Sequence, residues 1–256
     1  MDMIIDEPKN SHAPALRALF ADAFGDSERF LDLFFSIGFS PSRARVALEG
    51  DELLASLYWF DCECDGRRVA YVYAIATARA HRGRGICRAL MTDAHRHLAH
   101  LGYSTAMLVP AEPSLFDFYS KLGYRKACGL EEIEAVASES PLPLREISAE
   151  EYASVRRRYL PRGAVNEDGA IIRLLSATSK LYTGEGVLLS ARKSGSRLIA
   201  TELLGNTDAA PDILSALDCK SGIFRTPGGS LDFAMYLPLT EDSHEPPSYF
   251  GIALDI

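Results

Sequence analysis

The chain has 256 residues, 47% of them hydrophobic and 24% charged, a composition typical of a globular protein with one large or two small domains. Its 27 Lys and Arg against 35 Asp and Glu give a formal net charge of −8, which argues against general binding to nucleic acid or an anionic membrane. No segment approaches the ~20 apolar residues of a membrane span, and five scattered cysteines favour a reducing cytoplasm over a disulfide scaffold.

The first half of the sequence predicts a mixed α/β arrangement built around one strand–turn–helix–strand crossover. Hydrophobic periodicity and turn residues locate its elements. In chain order these are a helix capped by Ser11, a short helix after Asp26, strands at 45–48, 53–62 and 69–77, a helix from Ile86 to about Gly102, a strand at 105–109, a helix at 114–122 and a strand at 124–135.

The second half predicts another α/β segment. Residues 138–143 contain two prolines and small polar residues, which indicates a linker. The predicted domains are therefore 1–137 and 144–256. The elements of the second domain are helices at 149–159, 169–176 and 210–217 and strands at 186–191, 198–204, 222–225, 231–237 and 249–254.

Residues 77–88 carry the clearest chemical signal, because a strand ends there, arginines flank two glycines, and a helix begins. Unpaired N–H groups and the helix dipole make such a helix start an anion site, and Gly83 and Gly85 let a pyrophosphate approach the backbone. The P-loop motif is absent, and Arg88 replaces the third glycine of the dinucleotide fingerprint. Taken alone, the segment is equally compatible with a solvated tight turn.

Two motifs together resemble signatures of the GCN5-related N-acetyltransferase (GNAT) superfamily. Residues 82–87 (Arg-Gly-Arg-Gly-Ile-Cys) are similar to its Arg/Gln-x-x-Gly-x-Gly/Ala motif. About thirty residues later, residues 115–124 (Leu-Phe-Asp-Phe-Tyr-Ser-Lys-Leu-Gly-Tyr) are similar to its Phe-Tyr-x-Lys-Leu-Gly-Phe segment. The resemblance covers about residues 3–135 and implies a GNAT fold, followed by a second, partial and degenerate GNAT-like domain.

The resemblance implies transfer of an acetyl group from acetyl-CoA to an amine. In the family, amides of the glycine-rich turn bind the pyrophosphate, and the preceding strand pairs with the pantetheine arm. In many members the tyrosine of the second motif, here Tyr119, protonates the departing CoA thiolate. The cofactor-binding set implied for this chain is Ile75, Ala76, Thr77, Arg82, Gly83, Arg84, Gly85, Ile86, Cys87, Arg88 and Ser114.

A phenol held beside a thioester can donate the proton that a thiolate needs, which supports the acid role of Tyr119 independently of the resemblance. The alternative is a core tyrosine, because Leu115, Phe116 and Leu122 share its helical surface. The chain departs from the family pattern at three places. Cys87 replaces a Gly or Ala, residues 112–114 lack a usual asparagine, and Arg79 stands where proline is common.

No general base is evident, since residues 71–77 contain no acid. A water chain or a carboxylate from elsewhere must accept the proton. The two-part layout resembles acetyltransferases of the enhanced intracellular survival type, whose own terminal carboxylate reaches the active site. The end of this chain, Asp255-Ile256, is therefore a candidate.

Other features carry weaker signals. Cys62 and Cys64 lack a second ligand pair, so no metal is expected, and Cys87 is expected to pack rather than react. The long helix carries three histidines that are expected on a solvated face, namely His95, His97 and His100. The stripe Phe30, Phe34 and Phe35 fits either the core or the border of an acceptor cleft.

The sequence is interpreted as a cytoplasmic, acetyl-CoA-dependent N-acetyltransferase that acts by direct attack of an amine. The rivals are a non-catalytic acyl-CoA-binding or regulatory module and a purely structural role. The acceptor is a small-molecule or peptide amine, and the negative charge favours a cationic one. A homodimer is expected on base rates.

Overall fold

The computed structural model describes residues 3–167, 169–241, 245–252 and 254. The helices of this part are α1 (Ala13–Phe24), α2 (Glu28–Leu33), α3 (Ile86–His100), α4 (Ser114–Ser120), α5 (Ala149–Tyr159), α6 (Gly169–Thr178) and α7 (Ala210–Ala216). The strands are β1 (Ile4–Asp6), β2 (Ala44–Glu49), β3 (Glu52–Cys64), β4 (Arg67–Thr77), β5 (Thr105–Leu108), β6 (Arg125–Lys126), β7 (Gly129–Val136), β8 (Leu144–Glu146), β9 (Asn166–Glu167), β10 (Lys180–Gly184), β11 (Val187–Ser194), β12 (Arg197–Gly205), β13 (Ser221–Gly228), β14 (Leu231–Asp232) and β15 (Met235–Pro238).

The chain divides into two compact units, Met1–Arg125 with Met235–Glu245, and Lys126–Ala234 with Pro246–Ile256. This division differs from the predicted boundary at 138–143, because β7 pairs with β13 in the sheet of the second unit. The predicted strand at 231–237 is two strands, β14 beside β7 and β15 beside β5. At 249–252 the structure has an isolated bridge at Tyr249 in place of the predicted strand.

The first unit contains a sheet in the order β1-β2-β3-β4-β5-β15. Its pairs are antiparallel except β4 with β5, which are parallel and joined through α3. The β3–β4 hairpin turns at Asp65 and Gly66, both of which have positive φ, as a tight primed turn requires. The apolar face of α3 is buried against this sheet through Leu90, Met91 and Leu98.

The second unit contains a sheet in the order β14-β7-β13-β12-β11-β10-β8. Only β12 with β13 is parallel among the described pairs, and α7 connects these two strands. Side chains of β12 alternate between faces. Leu203 packs into a core with α7, whereas Glu202 contacts α5. The sheet of this unit is therefore covered by helices on both faces.

A fully buried charge network holds α5, β12 and the segment after Pro247 together within the second unit. Arg156 donates to both oxygens of Glu202, at 2.7 and 2.8 Å, and also to Glu167. Tyr249 donates to Glu202 at 2.9 Å, and Glu167 accepts from the backbone N–H of Ile252 at 3.2 Å. Every charged member has partners, which is the condition for tolerating buried charge.

We expect the Glu167→Gln variant to lose a pH dependence of stability that the parent protein has. Burial raises the pKa of Glu167 from the usual 4.5 to about 7. The folded state therefore binds a proton more tightly than the unfolded chain, so the contribution to stability is complete below pH 4.5 and lost as pH rises towards 7. The free energy of unfolding of the parent relative to the variant should fall by up to about 3 kcal/mol across this window.

Denaturant unfolding at closely spaced pH values measures this difference. Glu139→Gln is the matched control, because Glu139 is exposed in the same unit, and its difference curve should be flat. Parallel pH profiles for the parent and Glu167→Gln would show that Glu167 does not take up the proton.

Candidate functional site

The strands β4 and β5 separate beyond their short parallel pairing. They pair over residues 69–71 of β4, whereas β4 continues to Thr77. Within this extension two residues, Ala74 and Ile75, oppose a single residue of β3, and Ala74 has a φ of +49°. A bulge bends and twists its strand. The edge of β4 at residues 72–77 is therefore not paired with β5.

The glycine-rich turn begins where β4 ends. Gly83 and Gly85 both have a φ of +77°, a left-handed conformation that favours glycine. A Cβ atom at either position would meet no atom within 4 Å, so the space over the turn is open. Gly85 is the N-cap of α3 and has no side-chain cap. The N–H groups of the first helical turn, residues 86–88, therefore lack an intrahelical acceptor and a capping side chain.

The arginines around the turn are engaged by neighbouring groups. Arg82 donates through Nε to the carbonyl of Thr77 at 3.1 Å, which fixes the turn against the end of β4. Arg84 donates to Nδ1 of His81 at 2.9 Å, and Arg79 forms an ion pair with Asp22 at 3.1 Å. Arg84 also lies 3.6 Å from a carboxylate oxygen of Glu49. The carbonyl of Thr77 leaves the charge of Arg82 in place, so positive charge stands beside the backbone N–H groups of the turn.

Tyr119 lies close to the start of α3. It is 9% exposed on α4, and both it and Cys87 pack into the core of the first unit. Burial, and secondly the neighbouring Cys87, raise the pKa of the Tyr119 hydroxyl well above 10. The phenol is therefore protonated at neutral pH, as a general acid must be. Burial also raises the pKa of Cys87, which disfavours a reactive thiolate there.

Next to Tyr119 lies a hydrogen bond between Tyr124 and His95 that was not expected from the sequence. The ring of Tyr124 is 5.9 Å from that of Tyr119, and its hydroxyl is 2.9 Å from Nε2 of His95. Burial lowers the pKa of His95 to about 4, so the imidazole is neutral, and its tautomer decides which of the two side chains donates. The prediction of a solvated His95 was wrong, because this side chain lies at the edge of the apolar face of α3 and turns inward.

The other predicted residues lie at three places. Ile75 is half-buried against the core and Ala76 is buried, while Thr77 ends β4. Arg88 is exposed on the first turn of α3. Ser114 begins α4, is exposed, and lies 3.5 Å from a carboxylate oxygen of Glu112. The structure thus brings together β4, the turn and Tyr119, while the hydroxyl of Ser114 faces its own loop.

An aromatic layer covers the other face of the first sheet. Phe34 lies at the centre of this layer, with its ring 4.9 Å from Phe20, 5.1 Å from Tyr58 and 5.8 Å from Tyr73. Within it, the buried hydroxyls of Tyr58 and Ser56 lie close to each other and have no other hydrogen-bond partner among the described residues. An unpaired buried hydroxyl costs free energy unless a ligand or water satisfies it. Sequence periodicity alone gave no sign of these two groups.

The candidate terminal carboxylate at Asp255-Ile256 lies outside the described residues. Among the residues that are described, no cluster of three or more His, Cys, Asp and Glu side chains forms a metal site. No helix in the same part of the chain is both long and apolar enough to span a bilayer.

Comparison with known proteins finds a matching family model and several structures with a similar fold. Residues 5–127 match the family model described as an acetyltransferase (GNAT) domain. No curated protein sequence matched the chain. The fold is similar to GCN5-related N-acetyltransferases from Anabaena variabilis ATCC 29413 (TM-score 0.74, 15% identity, 93% of this chain and 73% of that one) and Kribbella flavida (0.70, 17%, 93% and 72%). It is also similar to Eis1 from Mycobacterium abscessus (0.69, 16%, 93% and 74%).

Proposed function

Since residues 5–127 match the model of a GNAT acetyltransferase domain, we propose that the protein transfers an acetyl group from acetyl-CoA to the amine of an acceptor. The observation that carries this proposal is the open glycine-rich turn at the start of α3. Its amides at residues 83–88 would bind the pyrophosphate of CoA, because no side chain caps the start of α3 and a Cβ at Gly83 or Gly85 would meet no atom within 4 Å.

The extension of β4 offers a place for the pantetheine arm. Peptide-like amides of pantetheine can pair with a strand edge that lacks a neighbour. Residues 72–77 provide such an edge, and Arg82 connects it directly to the pyrophosphate turn. The thioester would then lie beyond the bulge at Ala74, where strand amides can stabilise the oxyanion of the tetrahedral intermediate.

Tyr119 would supply the proton that the reaction must deliver to sulfur. The neutral amine attacks the thioester carbonyl, the C–S bond breaks, and the phenol protonates the CoA thiolate. Its position beside Cys87, at the start of α3, fits this role. The proton lost by the amine must leave through water or a carboxylate outside β4, since β4 carries no acid.

The second unit would be a degenerate copy of the same fold. Its β12–α7–β13 crossover repeats the parallel arrangement of β4, α3 and β5. In the single turn of 3-10 helix at Thr207–Ala209 that leads into α7, however, the side chain of Asn206 accepts from the N–H of Asp208 at 3.1 Å. A capping side chain occupies the anion position there, and the carboxylate of Asp208 would repel a phosphate. This unit would therefore bind no second CoA.

The absence of an acid from β4 favours one alternative, an acyl-CoA-binding module without turnover. Calorimetry with CoA and acetyl-CoA, followed by a panel of a few hundred amines with detection of free thiol, separates the two functions. We expect binding of both cofactors at one site per chain, and thiol release with at least one amine, including cationic ones. Binding without release by any amine would favour the module, and no binding would remove both functions. The small-molecule or peptide acceptor, the homodimer and the cytoplasmic location stay predictions.

A further inference from the structure

A cavity of about 450 Å³ lies in the second unit, in a part of the chain that the proposed reaction does not use. It opens where α6 ends and β10 begins, beside the paired residues of β11 and β12. Its size falls within the range of small-molecule sites and exceeds what a bare inorganic ion fills. The lining contains three cationic residues, Lys180, Arg192 and Lys193, and no acidic residue.

Strand register places the important side chains on one face. Lys180 pairs with Ala191, and Lys193 pairs with Leu198, so these four residues share a face with Tyr182. Tyr182, Ala191 and Leu198 also belong to the apolar core beneath α7. Ala191 and Leu198 are each only 1% exposed, so the accessible apolar surface on this face is that of Tyr182, with Lys180 and Lys193 at the rim.

The charges at the rim are only partly compensated. Lys180 pairs with Glu146 at 2.8 Å, but both side chains are more than half exposed, so the pair contributes little and Lys180 can turn away. Asp218 is the other nearby acid and lies beside the buried Cys219. The thiol of Cys219 also interacts electrostatically with Lys193. Within the described part of the chain, Arg192 and Lys193 form no ion pair.

We propose that this cavity binds a small organic anion, a carboxylate or phosphate attached to an apolar or aromatic body. The apolar body would lie against Tyr182, and the anionic group would be held by Lys180 and Lys193, which share its face of the sheet. A local basic rim is notable in a chain of net charge −8, because the field of the molecule otherwise repels anions. This site is separate from the acetyl-CoA site and does not depend on it.

Titration calorimetry with benzoate, phenyl phosphate and uncharged benzyl alcohol tests the proposal at low salt. The parent protein should bind at least one of the two anions, and the one that binds identifies the anionic group. Benzyl alcohol should bind at least tenfold more weakly. Equal binding of the alcohol, or no binding of either anion, would overturn the proposal.

A double variant, Lys180→Gln with Lys193→Gln, should weaken anion binding at least tenfold. The matched control is Arg157→Gln with Arg158→Gln, which removes the same charge from exposed positions on α5 and should bind like the parent. Equal loss in both variants would mean that only net charge matters. If the double variant fails to fold, the anomalous signal of 4-bromobenzoate in crystals of the parent decides, because bromine outside the cavity contradicts the site.

Discussion

Replacing Tyr119 with Phe should lower kcat by roughly 10²–10⁴-fold, the usual contribution of a general acid. The affinity for CoA should stay within about twofold of the parent value. The reason is that the phenol would act only when the C–S bond breaks, while the ring fills the same space in the core of the first unit. The measurement combines thiol-release kinetics, with the acceptor found in the amine panel, and calorimetry with CoA.

Tyr124→Phe provides the matched control for this experiment. It removes the same atom from a second buried tyrosine, whose hydroxyl is bonded to His95 and has no role in the proposed reaction. We expect lower stability, since His95 would lose its partner, but a much smaller change in kcat. Equal kcat losses in the two variants, or a normal kcat in Tyr119→Phe, would exclude the acid role.

The pH dependence provides an independent check of the same role. The raised pKa of Tyr119 means that the acid form persists through neutral and mildly basic pH. A fall of kcat on the basic side, if Tyr119 controls it, should therefore begin only above about pH 10, since the acid is lost as pH rises through its pKa. A midpoint near pH 7 or 8 would identify a different group.

Local patterns predicted most helices and the central hairpin. The helix α3 and the turn at Asp65-Gly66 are specified by residues a few positions apart, and the structure has both. The strand at 231–237 was misassigned because its two halves pair with two different strands. The first half, β14, pairs with β7, and the second half, β15, pairs with β5, each more than a hundred residues earlier in the chain. Such long-range choices leave no periodic signal in the segment itself.

The candidate site likewise contains features that the local sequence predicts and features that it does not. The turn at Gly83 and Gly85 could be predicted, because a strand–glycine–helix sequence has few conformations. That Tyr119 belongs to the same site as the turn was implied only by the family resemblance. The buried hydroxyls of Ser56 and Tyr58 could not be predicted, since they depend on the bulge at Ala74 and on the packing of α1 and α2.

The second large effect is expected from a single methyl group on the turn. Gly85→Ala should weaken CoA binding at least tenfold, because the added Cβ would occupy the open space that the pyrophosphate needs. The residue must also keep a φ of +77°, which costs an alanine about 1 kcal/mol of stability. Calorimetry with CoA and thermal unfolding measure the two consequences separately.

Gly66→Ala separates strain from ligand exclusion. Gly66 has a φ of +76°, and its Cβ would also meet no atom within 4 Å, but it lies in the β3–β4 turn, at the other end of β4 from the glycine-rich turn. Both variants should lose similar stability, and only Gly85→Ala should lose CoA affinity. If Gly66→Ala weakens binding as much, the loss comes from backbone strain. If neither does, the amides at the start of α3 do not hold the pyrophosphate, and acetyl-CoA must bind elsewhere.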